Sequence, residues 1–203
     1  SPDQFGLVGM MSIFLSFSFV MAEGGFGQAI IREQNVTILD LSSVFFFNIL
    51  IGIFVYLLFY LLAPYISIFY EQPELTVLVR VSFIAILINS LTIVQEALLF
   101  KSVSFSKVSR VSIFAVTISG IIGICIAIKF KTVWALIAQS LSNSIIRAVL
   151  YWYVGSWRPS LIYSWSSVKK YLSFSLNLLF SRMIASIADN AANLFIGKAY
   201  SPT

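Results

Sequence analysis

Histidine is absent from this chain of 203 residues, cysteine occurs once, and charged residues make up only 10% of it. With Cys125 alone, an intrachain disulfide and a cysteine-rich metal site are both excluded. The missing histidines remove the common zinc sites and the imidazole bases on which much enzymology relies. No metal ligand set and no catalytic residue is assigned on this composition. A soluble domain carries about 25% charged residues, so the scarcity of charge argues against a water-soluble fold. A nucleic-acid surface is not indicated either, because the net charge of +5 is dispersed among short stretches between apolar runs. The GGFG at 24–27 follows no strand and precedes no Lys-Ser/Thr pair, so it is not a phosphate loop.

What fills the chain is apolar: 59% of residues are hydrophobic and the mean hydropathy is +0.95. Runs of about 20 apolar residues, the length that crosses a hydrocarbon core, recur along it. They predict an all-α integral membrane protein with about six spans, at 5–21, 41–70, 75–100, 108–128, 132–154 and 171–200. The stretch 23–40 is charged and broken by glycines, which predicts an interfacial connector with a short amphipathic helix. The second span exceeds the required length and is expected to tilt or bend near Gly52 or Pro64. Arg32, Lys101, Lys107, Arg110, Arg158, Lys169 and Lys170 fall in connectors on one side of these spans. Lys129, Lys131 and Lys198 fall on the other, with Glu71 and Glu74. The positive-inside rule makes the first side cytoplasmic.

Polar residues inside the spans are costly and fall on faces. An Arg or Asp at mid-helix costs about 2.5 to 3.5 kcal/mol on insertion scales, against about 0.3 to 0.6 returned by each Leu, Ile, Phe or Val. In the last helix Ser175, Arg182, Ser186, Asp189 and Asn193 fall within about 60° of one another at 100° per residue. That stripe needs a wet or protein-lined neighbour. Gln139, Asn143 and Arg147 recur every four residues on the fifth span, and Ser82, Asn89, Thr92 and Glu96 share a face of the third. Arg80 points away from Asn89 and is expected to snorkel to headgroups, while Glu96, close to Lys101 and the cytoplasmic face, is expected to form a structural ion pair or a solvated helix end. Ala115, Ser119, Gly123 and Ala127 make a small-residue seam for close helix packing. Tyr151, Trp152, Tyr153 and Trp157 suit a membrane interface. Asp189 lies seven residues from Arg182, about 10.5 Å along the helix, so no adjacent-turn partner neutralises it. It is the candidate coupling or gating carboxylate, with a structural partner as the alternative.

The order of seven stretches resembles the polysaccharide and oligosaccharide flippases of the multidrug/oligosaccharidyl-lipid/polysaccharide exporter superfamily, especially Wzx-like and teichuronic acid exporters. They are SPDQFGLVGM, EGGFGQAIIREQ, LDLSSVFFFNILIG, FYEQPEL, ALLFKSVSFSK, VWALIAQSL and ASIADNAANLFIGKAYSPT, which together span the whole chain. None is catalytic or specific by itself. The resemblance implies a two-lobed, all-helical transporter of 12–14 helices working by alternating access, of which this chain is a piece. Residues 1–154 would be family helices two to six of the N-terminal lobe, 155–170 a cytoplasmic inter-lobe connector, and 171–203 the first helix of the C-terminal lobe. It implies a multi-pass protein of the bacterial inner membrane, embedded in membrane lipid and working beside polysaccharide assembly proteins. The cargo implied is a lipid-linked oligosaccharide of the polyprenyl pyrophosphate type, with no cofactor beyond a proton or sodium gradient. Arg147 and Arg182 would suit such an anionic cargo, since guanidinium forks onto phosphate oxygens, with Gln139 and Asn143 as further cargo ligands. The rival readings are a drug/cation antiporter of the same superfamily, a membrane-embedded polymerase or transferase, and a structural scaffold.

Overall fold

The computed structural model of the chain describes residues 14–130 and 133–199, with side chains described over 14–129 and 133–185. Every regular element among these residues is helical. The predicted first span falls partly outside them, and its described part is α1 (Phe14–Glu23). The chain then turns at Gly24 and Gly25, whose φ values of 57° and 72° are left-handed and carry no steric cost only in glycine. α2 (Phe26–Arg32) follows at 41° to α1, so the pair reads as one bent span. This corrects the expectation of an interfacial connector over 23–40. Phe26, Ala29 and Ile30 form a buried apolar stripe against α6 and α9, a pattern hidden by the flanking charges and glycines.

α3 (Ile38–Phe69) starts at a capping box in which Thr37 and Asp40 bond each other's backbone N–H groups. Its 32 residues span about 48 Å and include Pro64. Leu50, Phe54, Leu61 and Ile68 are exposed on it, as lipid-facing side chains must be. Gly52 faces inward, and a Cβ there would lie 2.9 Å from the Ser90 Cβ, so its absence lets α5 approach closely.

The predicted third span is broken into α4 (Leu75–Ser82), α5 (Ile84–Ser90) and α6 (Ile93–Lys101), with a bend of 45° after Ser90. Side-chain hydroxyls account for the bend. Ser90 Oγ donates to the Leu87 carbonyl at 2.7 Å and Thr92 Oγ1 to the Asn89 carbonyl at 2.8 Å, competing with the backbone ladder where the helix breaks.

α7 (Phe105–Phe130) and α8 (Trp134–Val154) pack along each other more extensively than any other pair. Ala115, Ser119 and Gly123 of the predicted seam are buried, while Ala127 is exposed, so the seam ends one turn early. α9 (Trp165–Ala199) begins six residues before the predicted start of the last span. The extended segment before it is fastened to the bundle: the Ser160 and Ser164 N–H groups donate to Ser42 and Ser43 Oγ at 3.1 and 2.9 Å, and Gln95 Nε2 donates to the Trp157 carbonyl at 2.8 Å.

Among the described residues two helices, α3 and α7, are each long and apolar enough to cross a membrane; the bent pairs α1–α2 and α4/α5–α6 raise the number to four. α8 and α9, with 21 and 35 residues, have the length but carry the polar stripes. The apolar interior has two larger clusters, one among α1, α3, α4, α5 and α8 and the other among α2, α3, α6 and α9, and a smaller one where α6, α7 and α8 meet at Leu99, Val108, Val111 and Tyr151. Lys101 bonds the Ile30 carbonyl of α2 and Lys170 bonds Glu33 and Asp40, so the ends of α2 and α6 and the starts of α3 and α9 share one cation-rich end.

Candidate functional site

The bend after Ser90, the inward face of α8 and the end of α1 enclose a cavity of about 590 Å³. Its apolar wall includes Phe19, Ile86, Val116 and Leu136; the remainder is amide, hydroxyl and charge. Gln139, Asn143 and Arg147, predicted from their spacing of four, all line it. So do Asn89, Thr92 and Glu96 of the broken third span. Several of these polar groups satisfy one another. Asn143 Nδ2 donates to Ser119 Oγ at 3.2 Å and Asn89 Nδ2 to Ser144 Oγ at 3.4 Å, ties between α7 and α8 and between α5 and α8.

The cavity's charges are arranged as pairs. Arg147 Nη2 lies 3.0 Å from Glu96 Oε1, and the Tyr151 hydroxyl donates to the same oxygen at 3.0 Å while accepting from Arg147 Nη2 at 3.3 Å. Tyr151 is fully buried, so its place in this triangle corrects the expectation of an interfacial aromatic. The Arg147 and Glu96 side chains are each about a third exposed, so the pair stands in a solvated cavity and contributes about 1 kcal/mol or less. Arg147 Nε is buried without a hydrogen-bond partner among the described residues. Glu96 therefore pairs with Arg147 and not with nearby Lys101, whose Nζ is drawn off to the Ile30 and Glu33 carbonyls at the end of α2.

Arg182 of α9 does not line this cavity, but it bonds a residue that does: its Nη1 lies 2.5 Å from Glu23 Oε2. Glu23 went unrecognised in the sequence because the Gly-Gly beside it reads as a membrane edge; the glycines in fact mark a helix break inside the bundle. Glu23 and Glu96 also wall an adjoining cavity of about 220 Å³ that reaches Gln28 and Phe100, toward the cation-rich end. Asp189 lies outside the described side chains. Arg80 stands apart from the cavity, with its guanidinium 4.2 Å from the Tyr60 ring centroid. Among the described residues no three His, Cys, Asp or Glu side chains gather into a metal-holding group.

Apolar helices of membrane-crossing length around a cavity of amides, hydroxyls and ion pairs define an all-helical integral membrane protein with a polar space between its helices. Broken helices at such a space are the usual construction of transporter binding sites, where unwound backbone is tolerated because it faces water or protein. The chain belongs to the polysaccharide biosynthesis protein family, which it matches over residues 1–203. It is 30% identical over 185 residues to the teichuronic acid biosynthesis protein TuaB of Bacillus subtilis, covering 90% of this chain and 38% of that protein. It is 24% identical over 197 residues to the lipopolysaccharide biosynthesis protein WzxC of Escherichia coli, covering 96% of this chain and 40% of the relative. The succinoglycan biosynthesis transport protein ExoT of Rhizobium meliloti is 22% identical over 198 residues, covering 98% and 40%. The chain thus spans about two fifths of the length of the curated relatives it matches. No solved structure matches it.

Proposed function

We propose that this chain forms part of a transporter that carries lipid-linked oligosaccharide or polysaccharide precursors across the bacterial inner membrane by alternating access. The observation that carries the reading is the 590 Å³ cavity: amide and hydroxyl groups suited to a hydroxyl-rich headgroup, placed between helices whose outer faces suit lipid. The names of the relatives, which speak of polysaccharide biosynthesis and transport, support it. In this reading the protein has no catalytic residue of its own, and residues 155–170 join an N-terminal lobe over 1–154 to a second lobe that begins at 171.

Gln139, Asn143 and Arg147 are the proposed cargo ligands on α8, with Arg182 of α9 joined to the cavity through Glu23. Each arginine holds a carboxylate, Glu96 or Glu23, so an anionic cargo must exchange places with that carboxylate. Such an exchange couples cargo to conformation, because Glu23–Arg182 ties α1 to α9, and a ligand shifts an equilibrium only through contacts that differ between the two states. Asp189 is the proposed coupling group for a proton or sodium gradient. Glu23 and Glu96 are also the observation that favours the second reading, a drug/cation antiporter, which calls for acidic lining. Reconstituting the full-length protein and comparing translocation of a fluorescent lipid-linked oligosaccharide with uptake of a cationic dye separates the two. Oligosaccharide translocation without dye uptake is expected, and the reverse would reject the proposal.

A further inference from the structure

We propose that the cation-rich end of the bundle carries a separate lipid-phosphate site, in which Arg32 holds the phosphate of a membrane lipid where α3 meets the bilayer surface. The site is a cavity of about 500 Å³ between the end of α2 and the start of α9, walled by Arg32, Gln34, Asn35, Lys170, Tyr171 and Phe174 and also by the carboxylate-bearing Glu33. The inference does not depend on the identity of the cargo.

The negative groups near this cavity are already occupied. Glu33 bonds Lys170 at 3.3 Å. Asp40 accepts from the Thr37 N–H at 3.2 Å and from the Tyr171 hydroxyl at 3.3 Å. The carbonyls that end α2, which would repel an anion, are covered by Lys101, whose Nζ bonds Ile30 O and Glu33 O. Arg32, by contrast, has no carboxylate partner among the described residues. Its guanidinium sits 4.7 Å from the Phe174 ring centroid, an arrangement that fixes the group while leaving its N–H edge free to fork onto two oxygens. Exposed Gln34 and Asn35 add amide donors beside it.

The place of the site selects a lipid over a dissolved anion. α3 begins three residues after Asn35, and Ile38 in its first turn is 61% exposed, so lipid-facing surface starts immediately beside the cavity. A phosphate held by Arg32 leaves its acyl chains running along α3, as basic pockets between membrane helices accommodate anionic headgroups. The phosphate chemistry is shared by two lipids, an anionic phospholipid and a polyprenyl pyrophosphate, and the test separates them.

Full-length protein in phosphatidylcholine nanodiscs is mixed in turn with phosphatidylglycerol, with a polyprenyl pyrophosphate and with inorganic phosphate. Retained lipid is counted by native mass spectrometry, and the thermal unfolding midpoint reports that each variant is folded. The wild type is expected to retain one of the added anionic lipids in preference to phosphatidylcholine, and Arg32→Gln to bind it about tenfold more weakly, with Arg32→Lys intermediate. Arg110→Gln, which removes an exposed cation outside the cavity, is the control and should bind as the wild type does. Preference between the two lipids identifies the occupant, and either preference supports the site. Equal losses in Arg32→Gln and Arg110→Gln would show general surface charge only. Competition by inorganic phosphate at equal concentration, or a folded Arg32→Gln protein that retains lipid normally, would overturn the proposal.

Discussion

Glu96 is held from two directions, by Arg147 and by the Tyr151 hydroxyl, whereas the structure shows Glu23 held by Arg182. The two carboxylates should therefore respond differently to loss of their arginines. Arg147→Gln leaves Glu96 with the hydroxyl, and a double-mutant cycle of Arg147→Gln with Glu96→Gln is expected to give a coupling of about 0.5 to 1 kcal/mol in thermal unfolding of the full-length protein. A coupling near zero would mean that the pair is too well solvated to matter. Exchanging the charges at Glu23 and Arg182 should recover stability lost by either single reversal, since the contact is a direct one; failure to recover would show that another group shares the carboxylate. At this scale the sequence was legible where a residue type was costly and periodic. Gln139, Asn143 and Arg147 stood out because polar side chains every four residues in an apolar helix need a common polar neighbour. Tyr151 and Glu23 were not legible, because a tyrosine beside two tryptophans resembles an interface belt and an acid beside two glycines resembles a loop.

At the scale of elements, α3, α7, α8 and α9 were readable because long apolar runs and breakers such as the Glu71–Glu74 turn leave little choice. The breaks at Phe83 and after Ser90 were not, since neither proline nor glycine marks them. The second arises where hydroxyls of Ser90 and Thr92 take backbone carbonyls, which depends on rotamers and neighbours that spacing does not encode. Close packing gives a test with opposite signs at two glycines. At Gly52 a methyl group meets Ser90 at 2.9 Å, so Gly52→Ala should push α3 from α5 and destabilise by about 1 to 3 kcal/mol. A Cβ at Gly120 on α7 would meet nothing within 4 Å among the described residues, so Gly120→Ala should be neutral or stabilise by up to about 1 kcal/mol through helix propensity. Unfolding midpoints that move in the same direction for both variants would contradict the packing of α3 on α5.

For the whole molecule, the distribution of cations predicts which way the bundle sits. In a Cys125→Ser background, Lys107→Cys should be inaccessible to an impermeant thiol reagent added outside intact cells and reactive once the membrane is opened. Labelling from outside would invert the topology. The central claim is that the cavity walled by α8 carries cargo, and translocation of lipid-linked oligosaccharide by full-length protein in proteoliposomes tests it directly. Asn143→Leu, Arg147→Gln and Arg182→Ala are each expected to lower the rate about tenfold or more with the protein folded, while Arg80→Gln, on the far side of its helix over Tyr60, keeps it. Equal losses in all four, or normal rates in the two cavity variants and in Arg182→Ala, would contradict the assignment of that cavity as the path.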